Sequence, residues 1–326
     1  MNPKVSILVP IYNVSAFIEK CTHSLFGQTF SDIEYIFVND ASTDNSIEKL
    51  IKDLEAYPNR RSQIKVIHHT ENKGLAVARN TAIDASSGDY LLAMDSDDYI
   101  ELNMIEALYS NAIKHNADIA VCDATIEYSN KSILYTNYIP KISTEYFAEI
   151  IANPLCYWAI WNKLIKRELY LRNDCRVPEG LNFLEDRHTM TRIYYYAKKI
   201  IKVDQILYHY VKYNTNAITA TRSRMHFENT QRFWELLNDF LIDKKEQNSF
   251  KSTIEFAKAQ AKITLLIDTN SLLLRKEYSH LFEREERFYF STFKRGEKIM
   301  SLLVRYRFFY LAQIFNYLLK FKNRNT

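Results

Sequence analysis

At 326 residues, with 47% apolar and 14% aromatic content, the chain is long enough for one large domain or two smaller ones, each with a sizeable core. A net charge of +4 gives no general field for nucleic acid, and no uncharged apolar run approaches the ~20 residues that span a bilayer. The charge is unevenly placed: residues 281–326 hold ten Lys/Arg against four Glu, a balance of +6, which leaves −2 for residues 1–280.

The N-terminal "MNPKVSILVPIYN" carries one lysine and a short apolar run ending in Pro10, not the pattern of a signal peptide. Its apolar core, "KVSILVPIY", reads as a strand, and "SAFIEKCTHSLFGQ" as an amphipathic helix. "IEYIFVN" is the next strand and "TDNSIEKLIKDLEAY" the next helix, with Thr43 or Asp44 as its N-cap. Then follow "IKVIHH" (strand), "GLAVARNTAIDAS" (helix), "DYLLAM" (strand), "IELNMIEALYSNAIKHN" (helix) and "ADIAVCD" (strand). Apolar runs without alternation mark strands covered on both faces, and β–α alternation predicts a mostly parallel, Rossmann-like α/β sheet flanked by helices. In such sheets ligands bind beyond the carboxyl ends of the strands. Asp40 and the "DSDD" run Asp95–Asp98 each follow a strand directly, so both belong on that edge. The four cysteines, Cys21, Cys122, Cys156 and Cys175, show no metal-ligand spacing and read as reduced thiols of an intracellular protein.

The five glycines, at 27, 74, 88, 180 and 296, form neither GxGxxG nor GxxxxGK, so phosphates on this edge are not cradled by a glycine-rich loop. Carboxylates holding Mn²⁺ or Mg²⁺ are the other common solution, because these ions take oxygen ligands and bridge to diphosphate oxygens. A solvated acidic turn capping the next helix is the alternative reading of the same four residues. The tip of a buried strand favours the metal.

Five blocks, in order and spacing, carry a resemblance: "VSILVPIYN" (5–13), "QTFSDIEYIFVNDASTDNS" (28–46), "NKGLAVARNTAIDASSGDYLLAMDSDD" (72–98), "WNKLIKR" (161–167) and "LNFLEDRHTM" (181–190). Together, over roughly residues 4–220, they resemble the family 2 glycosyltransferases of GT-A fold, nucleotide-sugar enzymes of bacterial capsule and O-antigen assembly. The resemblance implies that Pro10, Ile11 and Tyr12 lie against nucleobase and ribose, with the Tyr12 ring stacking. Asp40 would accept from the uracil N–H; Asn39 stands where the family often has Asp. Lys73, Arg79 and Ser96 join the nucleotide-binding set, Arg79 ahead of Lys73. Asp95 and Asp97 match the metal-binding DxD element, completed by Asp98, and His209 in "LYHYVKYNTNAIT" is set against metal or phosphate, or is a plain strand histidine. Val211 stands where the family often has Arg, with Lys212 beside it. The general base of an inverting transfer would be Asp186, with Glu185 beside it; a Glu–Asp pair is also favourable first-turn helix charge. Trp161 is a sugar platform or a core tryptophan.

The expected layout is a catalytic region 1–220 (nucleotide half 1–125, acceptor half 126–220) followed by a helical region 221–326. "MHFENTQRFWELLNDFLIDKK", "FKSTIEFAKAQAKITLLIDTNSLLL" and "KIMSLLVRYRFFYLAQIFNYLLKFK" carry its helical periodicity. The last is basic and aromatic, suited to lying on an anionic membrane at the cytoplasmic face, or to packing on the protein with its basic face solvated. Processive synthases carry QxxRW and membrane spans; neither occurs in this sequence, which favours single-sugar addition. Expected partners are a nucleotide-sugar donor and a glycan or lipid-linked acceptor. A sugar-nucleotide nucleotidyltransferase, or a non-catalytic sugar-nucleotide or glycan binder, are the competing readings.

Overall fold

The computed structural model describes residues 3–139, 147, 148, 151 and 158–324. The chain divides into two compact units, Met1–Phe147 with Cys156–Thr215, and Ala148–Leu155 with Asn216–Thr326.

In the first unit β1 (Val5–Ile11), α1 (Ile18–Phe26), β2 (Ile33–Asn39), α2 (Ser46–Leu54), β3 (Ile64–His68), α3 (Leu75–Ala85) and β4 (Tyr90–Ala93) follow the alternation read from the sequence. Every residue of β1 and β4 is buried, as expected of strands covered on both faces, whereas β3 at the sheet edge is half-exposed. Several boundaries differ: Ile100, read as the start of a helix, lies in a short strand ahead of Met104, and α2 begins at Ser46 with Asn45 before it, because Asp44 turns its carboxylate to the Ser46 and Ser15 backbone N–H groups (3.1 and 2.9 Å) in a tight turn ahead of the helix.

There follow β5 (Tyr99–Ile100), α4 (Met104–His115), β6 (Ile119–Glu127), β7 (Ser132–Tyr135), β8 (Lys163–Lys166), α5 (Arg167–Arg172), α6 (Glu185–Tyr196) and β9 (Ile200–Val211). The nine described strands form one sheet in the order β3-β2-β1-β4-β8-β6-β9-β5, with β7 on β6. The quartet β3-β2-β1-β4 is wholly parallel. Beyond it the sheet is mixed: β8 slots antiparallel between β4 and β6, so β6 does not extend the parallel run directly. The chain goes outward from β1 to β2 and β3, then returns to place β4 on the other side of β1. That reversal falls between β1 and β4, and the carboxyl ends of strands at such a switch point are the usual ligand position. The main core, from Val5 and Ile7 through Phe37, Leu92 and Leu164 to Tyr208, lies on these strands and the helices packed against them.

The second unit holds α7 (Arg224–Asp243), α8 (Lys251–Asp268), α9 (Leu272–Glu277), α10 (Glu283–Phe288), α11 (Arg295–Arg305) and α12 (Phe309–Arg324). Phe227, Leu265, Leu266, Met300, Val304 and Ala312 fill one of its cores. Inside the unit the buried Glu286 accepts from Lys262 (3.0 Å), Arg305 (2.6 Å) and Ser301, so its charge is fully partnered. The 298–322 stretch, read as one periodic helix, breaks into α11 and α12 at a corner where Arg307 takes φ 61°. No described helix is long and apolar enough to cross a membrane.

Candidate active site at the carboxyl edge of the sheet

Because β1, β2 and β4 are neighbours and parallel, the residues following them meet on one edge. Pro10 and Ile11 are the last residues of β1 and are buried, while Tyr12, just past the strand, is 47% exposed and free to present its ring. After β2, Asn39 holds the turn by accepting from the Ser42 N–H (2.9 Å), with Ala41 in the left-handed region (φ 58°).

Asp40 is 3% exposed and anchors the 69–74 segment. It accepts from the backbone N–H groups of Lys73 (2.9 Å) and Gly74 (2.8 Å) and lies 2.7 Å from His69 Nδ1, whose other nitrogen meets Thr81 Oγ1 at 3.0 Å. Both of its oxygens are thus engaged within the protein, which makes Asp40 first a loop anchor. The Lys73 side chain is exposed. His69 was not anticipated from sequence; its signal was a second histidine at the end of a strand, next to the segment that returns to Asp40.

Gly74 (φ 86°) opens α3 where only glycine fits: a Cβ there would stand 2.6 Å from the Asn182 amide. Asn182 in turn accepts from the Ala76 N–H (3.1 Å) at the start of α3, and Asn80 exchanges two hydrogen bonds with the Val177 backbone (2.7 and 3.0 Å). Helix α3 is therefore locked to the 177–185 segment. These two asparagines, missed by sequence reasoning, carry Arg79 to its target.

That target is the centre of the site. The Arg79 guanidinium, 6% exposed, donates to Asp95 Oδ1 (2.9 Å), to Glu185 Oε1 (2.9 Å) and to Asp186 Oδ1. Burial opposes its charge, but Asp186, Asp95 and Glu185 outweigh burial and hold it well above its ordinary value. Glu185 and Asp186 open α6, where the helix dipole favours anions. Burial nonetheless raises both carboxyls, each by its neighbouring anions as well, with Arg79 working against the rise. The residue before them, Leu184, has φ 65°, a left-handed conformation that costs a leucine about 1–2 kcal/mol. Such strain clusters at functional sites.

The four residues of "DSDD" separate into two kinds. Asp95 and Asp97 are half-buried, and burial together with the Asp95 charge pushes Asp97 up to about 6, with Asn214 Nδ2 (2.7 Å) and Lys212 working against the rise. Ser96 and Asp98 are buried. Asp98 accepts from the Tyr208 hydroxyl (2.7 Å) and the Val211 N–H (2.7 Å) and is 1% exposed, so it ties β9 to the turn and presents no oxygen to the cleft. Asp95 and Asp97 are the less buried carboxylates of the expected metal set. Of the two readings of His209, the geometry favours the plain strand histidine. Strand alternation puts Tyr208 and Tyr210 against Trp161 (4.3 and 5.4 Å between ring centroids) and turns His209 to the opposite face. There its ring stacks on Tyr99 (4.3 Å) and its nitrogens meet Thr125 Oγ1 and Glu101 Oε1, each at 2.8 Å. Trp161, 7% exposed within this stack, is a core residue.

Among the described residues no three of His, Cys, Asp and Glu form a ready-made metal cluster. The donor chemistry still fits a divalent cation. Asp95 and Asp97 offer hard oxygens at a strand tip, and Asp97's raised pKa marks a negative charge short of compensation. Mg²⁺ and Mn²⁺ are commonly held by one or two carboxylates plus substrate phosphates rather than by an all-protein cage.

Lys163 is a further residue not anticipated. Fully buried in β8, it donates to Ala159 O and to Asn162 Oδ1 (2.8 Å), closing the turn whose Ile160 N–H points at Asp186 Oδ2 (3.5 Å). Burial lowers its pKa to about 7, with Cys122 and Asp186 acting in the opposite direction. A lone lysine between Trp161 and the apolar Leu164–Ile165 pair was the available signal.

A sheet of this topology, with buried acidic groups converging on its carboxyl edge, is an α/β fold with a candidate ligand site where such sheets bind their ligands. Residues 6–177 match the sequence model of "Glycosyl transferase family 2", and the chain belongs to that family. It is 35% identical over 231 residues to the uncharacterized glycosyltransferase EpsJ of Bacillus subtilis (strain 168), a match covering 67% of this chain and 64% of EpsJ, so the chain spans less than two thirds of that relative. Among solved structures it superposes on S. aureus TarS 1-349 in complex with UDP-GlcNAc (TM-score 0.56, 18% identity, 97% of this chain and 91% of that one). A mannosyltransferase, PcManGT from Pyrobaculum calidifontis, in complex with GDP-Man and Mn²⁺, gives TM-score 0.54 at 18% identity, over 99% of this chain and 87% of that one. These likenesses support the GT-A fold.

Proposed function

We propose that the protein is a metal-dependent inverting glycosyltransferase. It moves one sugar from a nucleoside diphosphate sugar, UDP-linked, to a glycan or lipid-linked acceptor in surface-polysaccharide synthesis. The observation that carries this reading is the Arg79 bridge. It joins the donor-side Asp95 to the Glu185–Asp186 pair, 106 and 107 positions away from Arg79 in sequence, at the edge where such sheets bind ligands. A single buried site then holds both halves of the chemistry, leaving-group stabilisation and proton acceptance.

Tyr12 stacks on the base, with Pro10 and Ile11 forming the floor at the end of β1, and Lys73 and Ser96 line the approach to the diphosphate. Asp40 keeps the base-side wall in place by anchoring the 69–74 segment. Asp95 and Asp97 would hold Mn²⁺ or Mg²⁺, which when bound would supply positive charge against the diphosphate leaving group. Asp186 takes the proton of the acceptor hydroxyl as its oxygen bonds to the anomeric carbon and the bond to the diphosphate breaks. One base suffices for displacement from the opposite face, and that displacement inverts the anomeric centre. Arg79 and the Ile160 N–H fix the orientation of that carboxylate, while burial raises its proton affinity above that of an ordinary aspartate, the direction a general base needs. The relative named for glycosyl transfer, and the neighbours that hold UDP-GlcNAc or GDP-Man with Mn²⁺, support the donor class.

A thermal-shift screen of UDP-, GDP- and dTDP-sugars with Mn²⁺ tests the reading. The true donor raises the melting temperature by an amount growing with the logarithm of its concentration. A UDP-sugar is expected to do so. If no nucleotide sugar moves the transition, the reading is wrong.

A further inference from the structure

Helix α12 is apolar on two faces, and only one of them is used. Phe309, Ala312 and Asn316 are buried within the second unit, at the spacing of one helical face. The other face carries Tyr310, Leu311, Ile314, Tyr317 and Leu318, at spacings i, i+1, i+4, i+7 and i+8, each more than half exposed. Tyr306 (65%) and Phe308 (55%) extend the apolar exposure into the α11–α12 corner, beside the exposed Arg307. Lys320, which the sequence placed on a solvated basic face, turns inward to Asp268 O and Asn270 Oδ1. The outward stripe is thus aromatic and aliphatic, set in a segment, 294–326, that holds eight Lys/Arg against one Glu.

We infer that this stripe is a docking face for an anionic lipid bilayer, on which α12 lies parallel to the surface. Two features choose the lipid over a protein partner. Tyrosines make up two of the five stripe positions, and an amphipathic ring suits the boundary between headgroups and acyl chains. Arg305 pairs with Glu286 and Lys320 turns inward, but the 294–326 segment keeps a net positive charge, with Lys294, Arg295 and Arg307 exposed; that excess is complementary to anionic headgroups and would repel a second copy of the same face. The inference rests on the second unit alone, and is independent of how the first unit handles its donor.

The test uses the full chain with phosphatidylcholine vesicles, with and without phosphatidylglycerol, read by flotation. Wild type is expected to float with the anionic vesicles, less so in high salt, and to stay behind with the neutral ones. The triple variant Leu311→Ser, Ile314→Ser, Leu318→Ser alters only exposed side chains. It should keep the wild-type melting curve and UDP-induced thermal shift while its vesicle partitioning falls by about tenfold or more. Partitioning unchanged by the triple variant would overturn the assignment of the stripe, and so would absence of wild-type binding at low salt. Light scattering that finds a dimer in wild type and a monomer in the triple variant would also overturn it, giving the face to a second copy. Loss of the UDP shift in both proteins would count against the proposed donor chemistry and leave the lipid result standing.

Discussion

Replacing Arg79 by Met removes the one guanidinium that three carboxylates share, while roughly keeping the side chain's length. Two arms of the bridge are nearly dry, Glu185 at 11% and Asp186 at 9% side-chain exposure; the Asp95 arm, at 25%, is better solvated and counts for less. Breaking a buried ion pair by removing one partner costs about 3–5 kcal/mol, and the two dry arms put Arg79→Met in that range at neutral pH. The deficit should depend on pH, with a sign fixed by the carboxyls. Burial already holds Glu185 and Asp186 above their ordinary values, and Arg79 limits the rise. Without Arg79 their folded values climb further. A carboxyl raised on folding loses stability as pH rises from its unfolded value through its folded one. The variant's deficit should therefore grow from about pH 5 to about pH 8, since protonated carboxyls no longer need the cation. Urea denaturation of both proteins at the two pH values measures it. A deficit below about 1 kcal/mol at the higher pH, or one that does not change with pH, would refute the buried-bridge account.

Three other substitutions probe separate contacts. Asp97→Asn should weaken Mn²⁺-dependent UDP binding in calorimetry, whereas Asp98→Asn, whose parent carboxylate faces Tyr208 and Val211, should leave the metal dependence in place; equal loss in both would return Asp98 to the metal. Gly74→Ala forces a Cβ into Asn182 at a φ that side chains avoid, and should cost of order 1–3 kcal/mol in thermal denaturation, only partly recovered by adding Asn182→Ala. Lys163→Met concerns a lysine lowered on folding from 10.5 to about 7, so the unfolded chain binds the extra proton between those values and wild-type stability gains as pH rises through that window. The Met variant should lack that gain; parallel stability–pH curves for the two proteins would show that Lys163 is not buried as described.

Much of this arrangement was legible in the sequence. Strands such as "VSILVPI" and "YLLA" are apolar without alternation because both their faces are covered, and the β–α rhythm then puts Tyr12, Asp40 and Asp95 on one edge. What the sequence did not reveal depends on partners distant along the chain. The side of β9 on which His209 falls follows from a pairing with β6 that is irregular at Cys122–Ala124, and a one-residue shift exchanges the two faces. Asp98 reads like Asp97 until Tyr208, 110 positions on, closes over it. The insertion of β8 between β4 and β6 left no mark in hydropathy, since an antiparallel strand buried on both sides looks like a parallel one. Arg79 was picked out as a nucleotide contact; its grip on Glu185 and Asp186 needed the α3 lock through Asn80 and Asn182, whose short polar side chains look like ordinary loop and helix residues.

Nucleoside diphosphate release tests the proposed chemistry, in which Asp186 takes the acceptor proton at a site where Asp95 and Asp97 would hold the cation. With the donor chosen by the thermal-shift screen, release is measured for wild type and Asp186→Asn, each with Mn²⁺ and with chelator, alongside donor binding. Wild type should turn over only with Mn²⁺. Asp186→Asn should bind donor as tightly but release product slower by roughly two to four orders of magnitude, the range for a lost general base. Undiminished release by Asp186→Asn, or equal release by wild type with chelator, would contradict the account.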